Sequence, residues 1–340
     1  DIMERMDEIT SSGCLLNNMD TGEPVTTVKD KLISANAYLG AVPIAQALDM
    51  GADIVITGRT TDTGLTLAPM IHEFGWDTDN FDLMAAGTVA GHILECGAQA
   101  TGGNFLGDWE KLDFVNIGFP IAVAYPDGSF HITKHEGTGG AVNIETVSEQ
   151  LLYEIGDPVN YITPDCIADF TSIQVEDAGK DKVKVHSIKG RPATPFLKVS
   201  AAYLGGYISF ATLTYSWPDA FKKAKLAGEI LRGRLDKIGV RYEEFNSEYV
   251  GLNACHGPLA KEHNDDDINE VCVRFGIRSS DYKSVERFGM EIAPLILTGP
   301  PAVTGFAGGR PKPSEVVAYW PALIPKYLVK PVVELYGDVK

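Results

Sequence analysis

The chain has 340 residues, enough for one large or two ordinary domains with a substantial core. Hydrophobic residues make up 44% and charged residues 22%, as is typical of soluble globular proteins. With 29 basic against 46 acidic residues the formal charge is −17, so the basic surface of a nucleic-acid-binding protein is not expected. The sequence contains no run of about 18 apolar residues, and no membrane span is predicted.

The five cysteines are an odd number, widely scattered, and no C-x-x-C pair occurs among them. This pattern predicts reduced thiols, with neither a disulfide framework nor a metal site. The first residues, Asp1–Met6, match neither a signal peptide nor a basic transit peptide. We therefore expect a cytoplasmic protein, or one of the mitochondrial matrix if the source is eukaryotic.

The segment from Gly51 to Asp62 combines a strand pattern, a glycine turn and polar side chains. Asp53–Thr57 is an apolar run of β-branched residues and predicts a central strand of a parallel sheet, buried on both faces. Arg59 and Asp62 follow Gly58, at the strand end where open α/β sheets bind ligands. Arg59 is a candidate for holding an anionic substrate group, and the alternative is an Arg-Asp pair that ties down a corner.

The whole chain predicts an α/β fold with a mostly parallel wound sheet and a more β-rich middle. Helical spacing predicts helices at 35–50, 65–74, 81–96, 142–155 and 219–238. Extended patterns occupy 114–117, 183–187, 197–200 and 207–214, and Pro126–Gly128 predicts a hairpin turn between strands at 121–125 and 129–133. The predicted regions are 1–113 with candidate ligand loops, β-rich 114–215, α/β 216–330 and a tail at 331–340.

His92, Glu95 and Cys96 share one face of the predicted helix 81–96, because their spacings are i, i+3 and i+4. His92 and Glu95, with Asp62, are candidate catalytic residues, since such groups transfer protons. A thiol beside an imidazole is also a nucleophile pattern, but a buried inert cysteine is the commoner case.

Two glycine-rich stretches are candidate substrate-binding loops. Thr138, Gly139 and Gly140 lie in a turn between a strand and a helix, where backbone N–H groups can bind an anion. A tight structural corner is the alternative. Arg310 ends the second stretch and could face an acyl or phosphate group, although a rigid surface turn fits equally well.

The chain resembles the acyclic terpene utilisation protein A family over nearly its whole length. The resemblance is carried by Ser34–Ala41, Asp53–Arg59, His72–Trp76, Gly87–Gly97, Gly137–Gly140, Glu149–Glu154, Asp169–Thr171 and Thr298–Pro311. Family members usually have a glycine-rich strand and turn upstream of the region that matches Asp1. The expectation is that the numbered chain is a fragment or lacks part of the sheet.

The resemblance implies a role beside enzymes of citronellol and geraniol breakdown, a route of branched acyl-CoA thioesters. It assigns no catalytic residue. We expect an enzyme acting on a branched acyl substrate, with a CoA thioester as possible substrate, no evident cofactor and a homo-oligomeric state. The alternative is a non-catalytic binding or assembly partner in an acyl-CoA carboxylase pathway. In the enzyme hypothesis, Arg59, Asp62 and the Gly137–Gly140 turn share one pocket.

Overall fold

The computed structural model describes residues 1–262, 268–305 and 309–337. The chain divides into two compact units. Unit 1 consists of Asp1–Thr27, Ser34–Ala201 and Trp320–Lys340, and unit 2 of Val28–Ile33 and Ala202–Tyr319. Unit 1 is therefore assembled from three separate stretches of chain.

Helices and strands are mixed along the sequence. The α-helices are α1 Met6–Ser11, α2 Val42–Asp49, α3 Gly64–Phe74, α4 Phe81–Glu95, α5 Ile144–Leu152, α6 Ala220–Lys237, α7 Tyr282–Ile292 and α8 Pro294–Thr298. The strands are β1 Leu32–Ala37, β2 Pro120–Ala124, β3 Phe130–Lys134, β4 Tyr161–Ile162, β5 Cys166–Asp169, β6 Gln174–Asp177, β7 Lys182–His186, β8 Lys189–Pro192, β9 Phe196–Ser216, β10 Glu244–Val250, β11 Glu270–Ser279, β12 Val303–Thr304 and β13 Ser314–Pro325.

Helix α4 is buried along most of its length, from Met84 to Ile93, and lies at the centre of the unit 1 core. Asn80 begins the helix by accepting a hydrogen bond from the Leu83 N–H. Its glycines permit close packing, because a Cβ at Gly87 would lie 2.4 Å from Leu67 Cδ1 of α3. The glycines of α4 are thus explained by close packing against neighbouring elements.

Two antiparallel sheets complete unit 1, with strand orders β2-β3-β7-β6 and β4-β5-β8. The predicted hairpin is confirmed: β2 pairs with β3, and Tyr125 N–H donates to the Ser129 carbonyl across the turn. Gly128 adopts φ +84°, a conformation that favours glycine.

Unit 2 contains a sheet in the order β9-β11-β10, and β12 also pairs with β9. Alternate residues of β11, namely Val271, Val273, Phe275 and Ile277, are buried. They form a core with Leu231 of α6 and other apolar residues of α6 and α7. The period-2 burial is typical of an antiparallel sheet covered on one face by helices.

The predicted parallel wound sheet is wrong. The strand pairs with a defined register are antiparallel, and the isolated bridge between Leu39 and Thr60 is parallel. The protein combines helices and strands, but with antiparallel sheets.

The predicted central strand at Asp53–Thr57 is also wrong. This segment has no regular secondary structure, and the side chains of Ile54 and Ile56 are 82% and 93% exposed. The β-branched run has the composition of a strand, but a strand also requires a partner alongside. The nearby bridge to Leu39 is made by Thr60, beyond the end of this segment.

Two other elements differ from prediction. Residues Phe114–Asn116 form a 3-10 helix rather than a strand, because the Asp113 side chain accepts the Val115 N–H and caps the turn. The helix predicted from residue 35 begins at Val42, after β1. Within the described ranges, each helix is too short or too polar to cross a membrane.

Candidate functional site

The loop that follows the misassigned segment is anchored on the residues after β1. Leu39 N–H donates to the Arg59 carbonyl, and Thr61 N–H donates to the Leu39 carbonyl. The Arg59 guanidinium stacks 4.4 Å from the Tyr38 ring centroid, and its Nη2 donates to the Tyr38 hydroxyl at 2.8 Å. Tyr38 therefore helps to hold the Arg59 guanidinium in place.

Asp62 is exposed on this loop, at the entrance to helix α3. The loop lies directly against α4, because a Cβ at Gly91 would be only 2.6 Å from the Thr63 Cα and carbonyl oxygen. The absence of a side chain at Gly91 thus lets the Asp62 loop approach the helix that carries His92 and Glu95.

His92 is 1% exposed and held at both ends. Its Nε2 lies 3.0 Å from the Gln150 carbonyl oxygen, and Gln150 Nε2 donates to the His92 carbonyl at 2.8 Å. Since a carbonyl oxygen only accepts, Nε2 must carry a proton. The remaining ring nitrogen, Nδ1, lies 3.2 Å from Glu95 Oε1, although not aligned as a hydrogen bond. His92 and Glu95 are therefore in direct contact on α4.

Tyr161 of β4 is a functional candidate that the sequence did not suggest. Its ring contacts His92 edge-on at 5.5 Å between centroids, and Phe170 contacts both rings. Burial raises the pKa of the Tyr161 hydroxyl, and the nearby charges of Glu95 and Asp62 raise it further. The phenol therefore stays protonated and available as a hydrogen-bond donor. No motif spacing links Tyr161 to α4, so sequence reasoning could not have found it.

Asp62, His92 and Glu95 thus come together around Tyr161, and we call these four residues the Tyr161 cluster. The sequence had suggested three of them as candidates, with His92 and Glu95 on one helix face and Asp62 on a separate loop. A protonated phenol beside two carboxyl groups and an imidazole is an arrangement that can donate and accept protons.

Three N–H groups of the Gly137–Gly140 turn donate to backbone carbonyl groups of the protein. Gly139 N–H donates to the Asn116 carbonyl and Gly140 N–H to the Ile117 carbonyl. Thr138 N–H donates to the His135 carbonyl. A Cβ at Gly140 would lie 2.4 Å from the Thr101 carbonyl oxygen, so this glycine is required by packing. These observations favour the alternative in which the turn is a tight structural corner.

A cavity of about 1100 Å³ lies between α2, residues 51–60 and residues 331–337, all within unit 1. We call it the Arg59 cavity. Its lining contains Arg59 and Thr60 but, among the described residues, neither Asp62 nor any part of the Gly137–Gly140 turn. The shared pocket expected for these groups is not found there. Arg310 is exposed in unit 2.

Asp165 supports the start of α2, and hence one wall of the Arg59 cavity. Both of its carboxylate oxygens lie 3.0 Å from the Ala41 nitrogen, whose N–H they accept. A Cβ at Gly40 would lie within 2.2 Å of Asp165 Oδ1, so a side chain there would displace the carboxylate. Burial raises the pKa of Asp165, although the Ala41 N–H and the Lys326 charge act in the opposite direction.

This raised pKa predicts a pH dependence of stability. Between the ordinary pKa of an aspartate and the raised value, the folded protein binds more protons at Asp165 than the unfolded chain, so stability falls as pH rises through that window. In Asp165→Asn this contribution disappears, and the free energy of unfolding should fall less steeply than in the wild type. Urea unfolding at several pH values measures both slopes, and equal slopes would contradict the assignment.

The thiols give no support to nucleophilic catalysis. All five cysteines are free. Burial raises the pKa of Cys166 to about 11, which makes it an inert core thiol. In the described part of the chain, no group of three or more His, Cys, Asp or Glu side chains is placed to hold a metal ion.

Comparison with known proteins gives one match. A family model described as acyclic terpene utilisation family protein AtuA matches residues 1–335. No curated protein matches the chain. No solved structure matches it either.

Proposed function

The chain belongs to the acyclic terpene utilisation protein A family, and we propose that it is an enzyme of acyclic terpene or branched-chain acid catabolism. Membership itself points to a role in acyclic terpene utilisation. The finer proposal is that a branched acyl group, linked to coenzyme A, is the substrate. The expected cytoplasmic or mitochondrial location belongs to the same proposal.

The Tyr161 cluster is the observation that supports catalysis. Reactions at acyl thioesters of the hydratase, lyase or hydrolase type all require a proton to be moved close to the carbonyl group or a water molecule to be activated. In this proposal Tyr161 donates a hydrogen bond to the thioester carbonyl, and the exposed Asp62 accepts the proton. Glu95 and His92 lie beside this phenol as further groups for proton transfer.

Arg59 is the proposed contact for an anionic part of the substrate. It lines the Arg59 cavity, and Tyr38 orients its guanidinium. The substrate-binding roles of Thr138, Gly139, Gly140 and Arg310 remain predictions, and for the turn such a role would have to use side chains or carbonyl groups.

We expect Arg59→Ala to weaken the binding of acyl-CoA by about 2 kcal/mol, the usual cost of a lost charge-assisted hydrogen bond. Isothermal titration with a branched acyl-CoA measures the loss, and Arg59→Lys should recover only part of it because an ammonium lacks the planar guanidinium fork. Unfolding curves for both variants serve as the control for folding. Equal affinities of Arg59→Ala and wild type would remove Arg59 from the site.

The function itself is tested with a panel of branched and unbranched acyl-CoA thioesters and the corresponding free acids. We expect time-dependent conversion of at least one branched thioester, detected by mass spectrometry, and its loss in Tyr161→Phe. Turnover that persists in Tyr161→Phe at the wild-type rate would place the chemistry elsewhere.

A non-catalytic binding role is the second candidate, and one surface favours it. Leu106, Trp109, Phe114, Val115 and Phe119 are all exposed within one stretch of chain. Exposed apolar patches of this kind often mark protein contacts. Binding of acyl-CoA without conversion, across the entire panel, would favour this role over the enzyme.

A further inference from the structure

The exposed apolar surface of unit 1 contains a small cavity. It has a volume of about 300 Å³ and is lined by Asn104, Phe105, Leu106, Trp109 and Phe114. These five side chains are uncharged, in a protein whose formal charge is −17. Cavities of about 300–1000 Å³ with apolar and aromatic walls are typical binding sites for small molecules. We call this one the Trp109 cavity, and its lining fits an uncharged hydrocarbon group.

Helix α5 connects the Trp109 cavity with the Tyr161 cluster. The Glu149 carboxylate accepts the Leu106 N–H with both oxygens, at 3.2 and 3.3 Å. The carbonyl of the next residue, Gln150, accepts from His92 Nε2 at 3.0 Å and from the Tyr153 N–H at 3.2 Å. Two neighbouring residues of one helix therefore hold a wall of the cavity and the histidine of the cluster.

Apolar side chains are exposed along this connection. Leu152 and Tyr153 follow Glu149 at i+3 and i+4, on the same side of the helix, and Leu152 is 76% exposed. The Phe119 ring is 68% exposed and lies over Gly97, since a Cβ at Gly97 would be 2.9 Å from Phe119 Cε1. Gly97 comes two residues after the end of α4. Exposed apolar groups therefore border both ends of the connection.

We propose that the Trp109 cavity binds the hydrocarbon chain of the acyl substrate. This inference rests on the proposed function, because it takes the Tyr161 cluster as the place where the thioester reacts. From the thioester carbonyl at Tyr161, the acyl chain runs past Phe119 and Leu152 into the cavity. Each CH₂ group that leaves water there strengthens binding. The cavity is then a specificity site that favours long acyl chains.

Two observations favour an acyl chain over a protein partner on this surface. The Trp109 cavity is a hollow of small-molecule size, and helix α5 joins it to groups that can transfer protons. A protein contact requires neither of these features.

Isothermal titration of the full chain with decanoyl-CoA and acetyl-CoA tests the site. The two thioesters differ only in chain length, so the ratio of their dissociation constants measures the chain contacts. Wild type should bind decanoyl-CoA at least about tenfold more tightly, because the added CH₂ groups are buried. In Leu106→Gln/Phe114→Gln this ratio should fall to about two, because an amide is poorly matched to an apolar chain, and the affinity for acetyl-CoA should not change.

Val115→Gln is the matched control. Val115 is next to Phe114 and 100% exposed, but it does not line the cavity. This variant should keep the wild-type ratio. All the changed positions are exposed, so unfolding curves of both variants should match that of wild type. The same ratio in the double variant and wild type, or an equal loss in Val115→Gln, would overturn the proposal.

A photoreactive substrate locates the chain directly. Decanoyl-CoA with a diazirine at its terminal carbon should label residues 104–114 on irradiation, as detected by peptide mass spectrometry. An excess of plain decanoyl-CoA should prevent the labelling. Label found only in other segments of the chain would contradict the assignment of the cavity.

These measurements separate the site from the proposed reaction. If the double variant removes the preference for decanoyl-CoA but no thioester is converted, the site stands and the reaction is rejected. If a long thioester is converted with the same KM in the double variant and wild type, the reaction stands and the site is rejected. Equal affinities of wild type for the two thioesters would also reject the site and favour a protein contact on this surface.

Discussion

Replacing Gly91 with alanine should destabilise the protein by about 2 kcal/mol, within the usual cost of inserting a methyl group into a packed interior. The new Cβ would lie 2.6 Å from the Thr63 Cα and carbonyl oxygen. These are backbone atoms, so no side-chain rotation relieves the contact, and either the loop or α4 must move. Alanine's higher helix propensity, up to about 1 kcal/mol over glycine, offsets only part of this cost.

Gly233→Ala is the matched control for this prediction. Gly233 lies in α6, where an added Cβ meets no atom within 4 Å, so the same substitution should stabilise the protein by up to about 1 kcal/mol. Thermal or urea unfolding of both variants measures the difference. Gly91→Ala should also reduce activity, because a displaced loop carries Asp62 away from Tyr161. Opposite signs for the two glycines are required by the packing explanation, and a stabilised Gly91→Ala would refute it.

Asp62→Asn should reduce kcat on the acyl-CoA identified in the panel by about 10²- to 10⁴-fold, the usual contribution of a positioned general base. The amide has the shape of the carboxylate but cannot accept the proton. Because Asp62 is exposed, its replacement should leave the free energy of unfolding within about 0.5 kcal/mol of wild type. Single-turnover kinetics measure the chemical step separately from binding.

Asp20→Asn provides the control for charge, since it removes an equal charge at another exposed position of unit 1. It should leave kcat unchanged. If Asp62→Asn raises only KM, Asp62 positions the substrate and another group of the Tyr161 cluster is the base.

The sequence predicted those elements whose burial pattern is local. Helix α4 and helix α6 follow from their own spacing, and the β2–β3 hairpin follows from its turn residues. The Asp53–Thr57 run was assigned wrongly because composition reports what a segment could pair with, not whether a partner is present. Sheet direction is likewise decided by contacts between distant residues.

In the Tyr161 cluster, too, local patterns were predictable and contacts between distant residues were not. His92 and Glu95 were paired correctly through helical spacing, and Asp62 was chosen because it follows a turn at the entrance to a helix. Tyr161 lies on a two-residue strand with no recognisable pattern, and only the fold brings it against His92. The close approach at Gly91 was equally hidden, because glycine in a helix is read as a local weakness until its neighbour is known.

The division of unit 1 into three stretches has a consequence for the order of folding during synthesis. The indole N–H of Trp320 donates to the Leu16 carbonyl at 3.0 Å, across 304 residues of chain, and Met19 N–H donates to the Pro321 carbonyl. Unit 2 has all of its residues once Tyr319 leaves the ribosome, whereas unit 1 still lacks the stretch from Trp320 onward. Unit 1 therefore receives its last stretch only after unit 2 has been translated, and the Leu16 contact can form only once Trp320 has been synthesised.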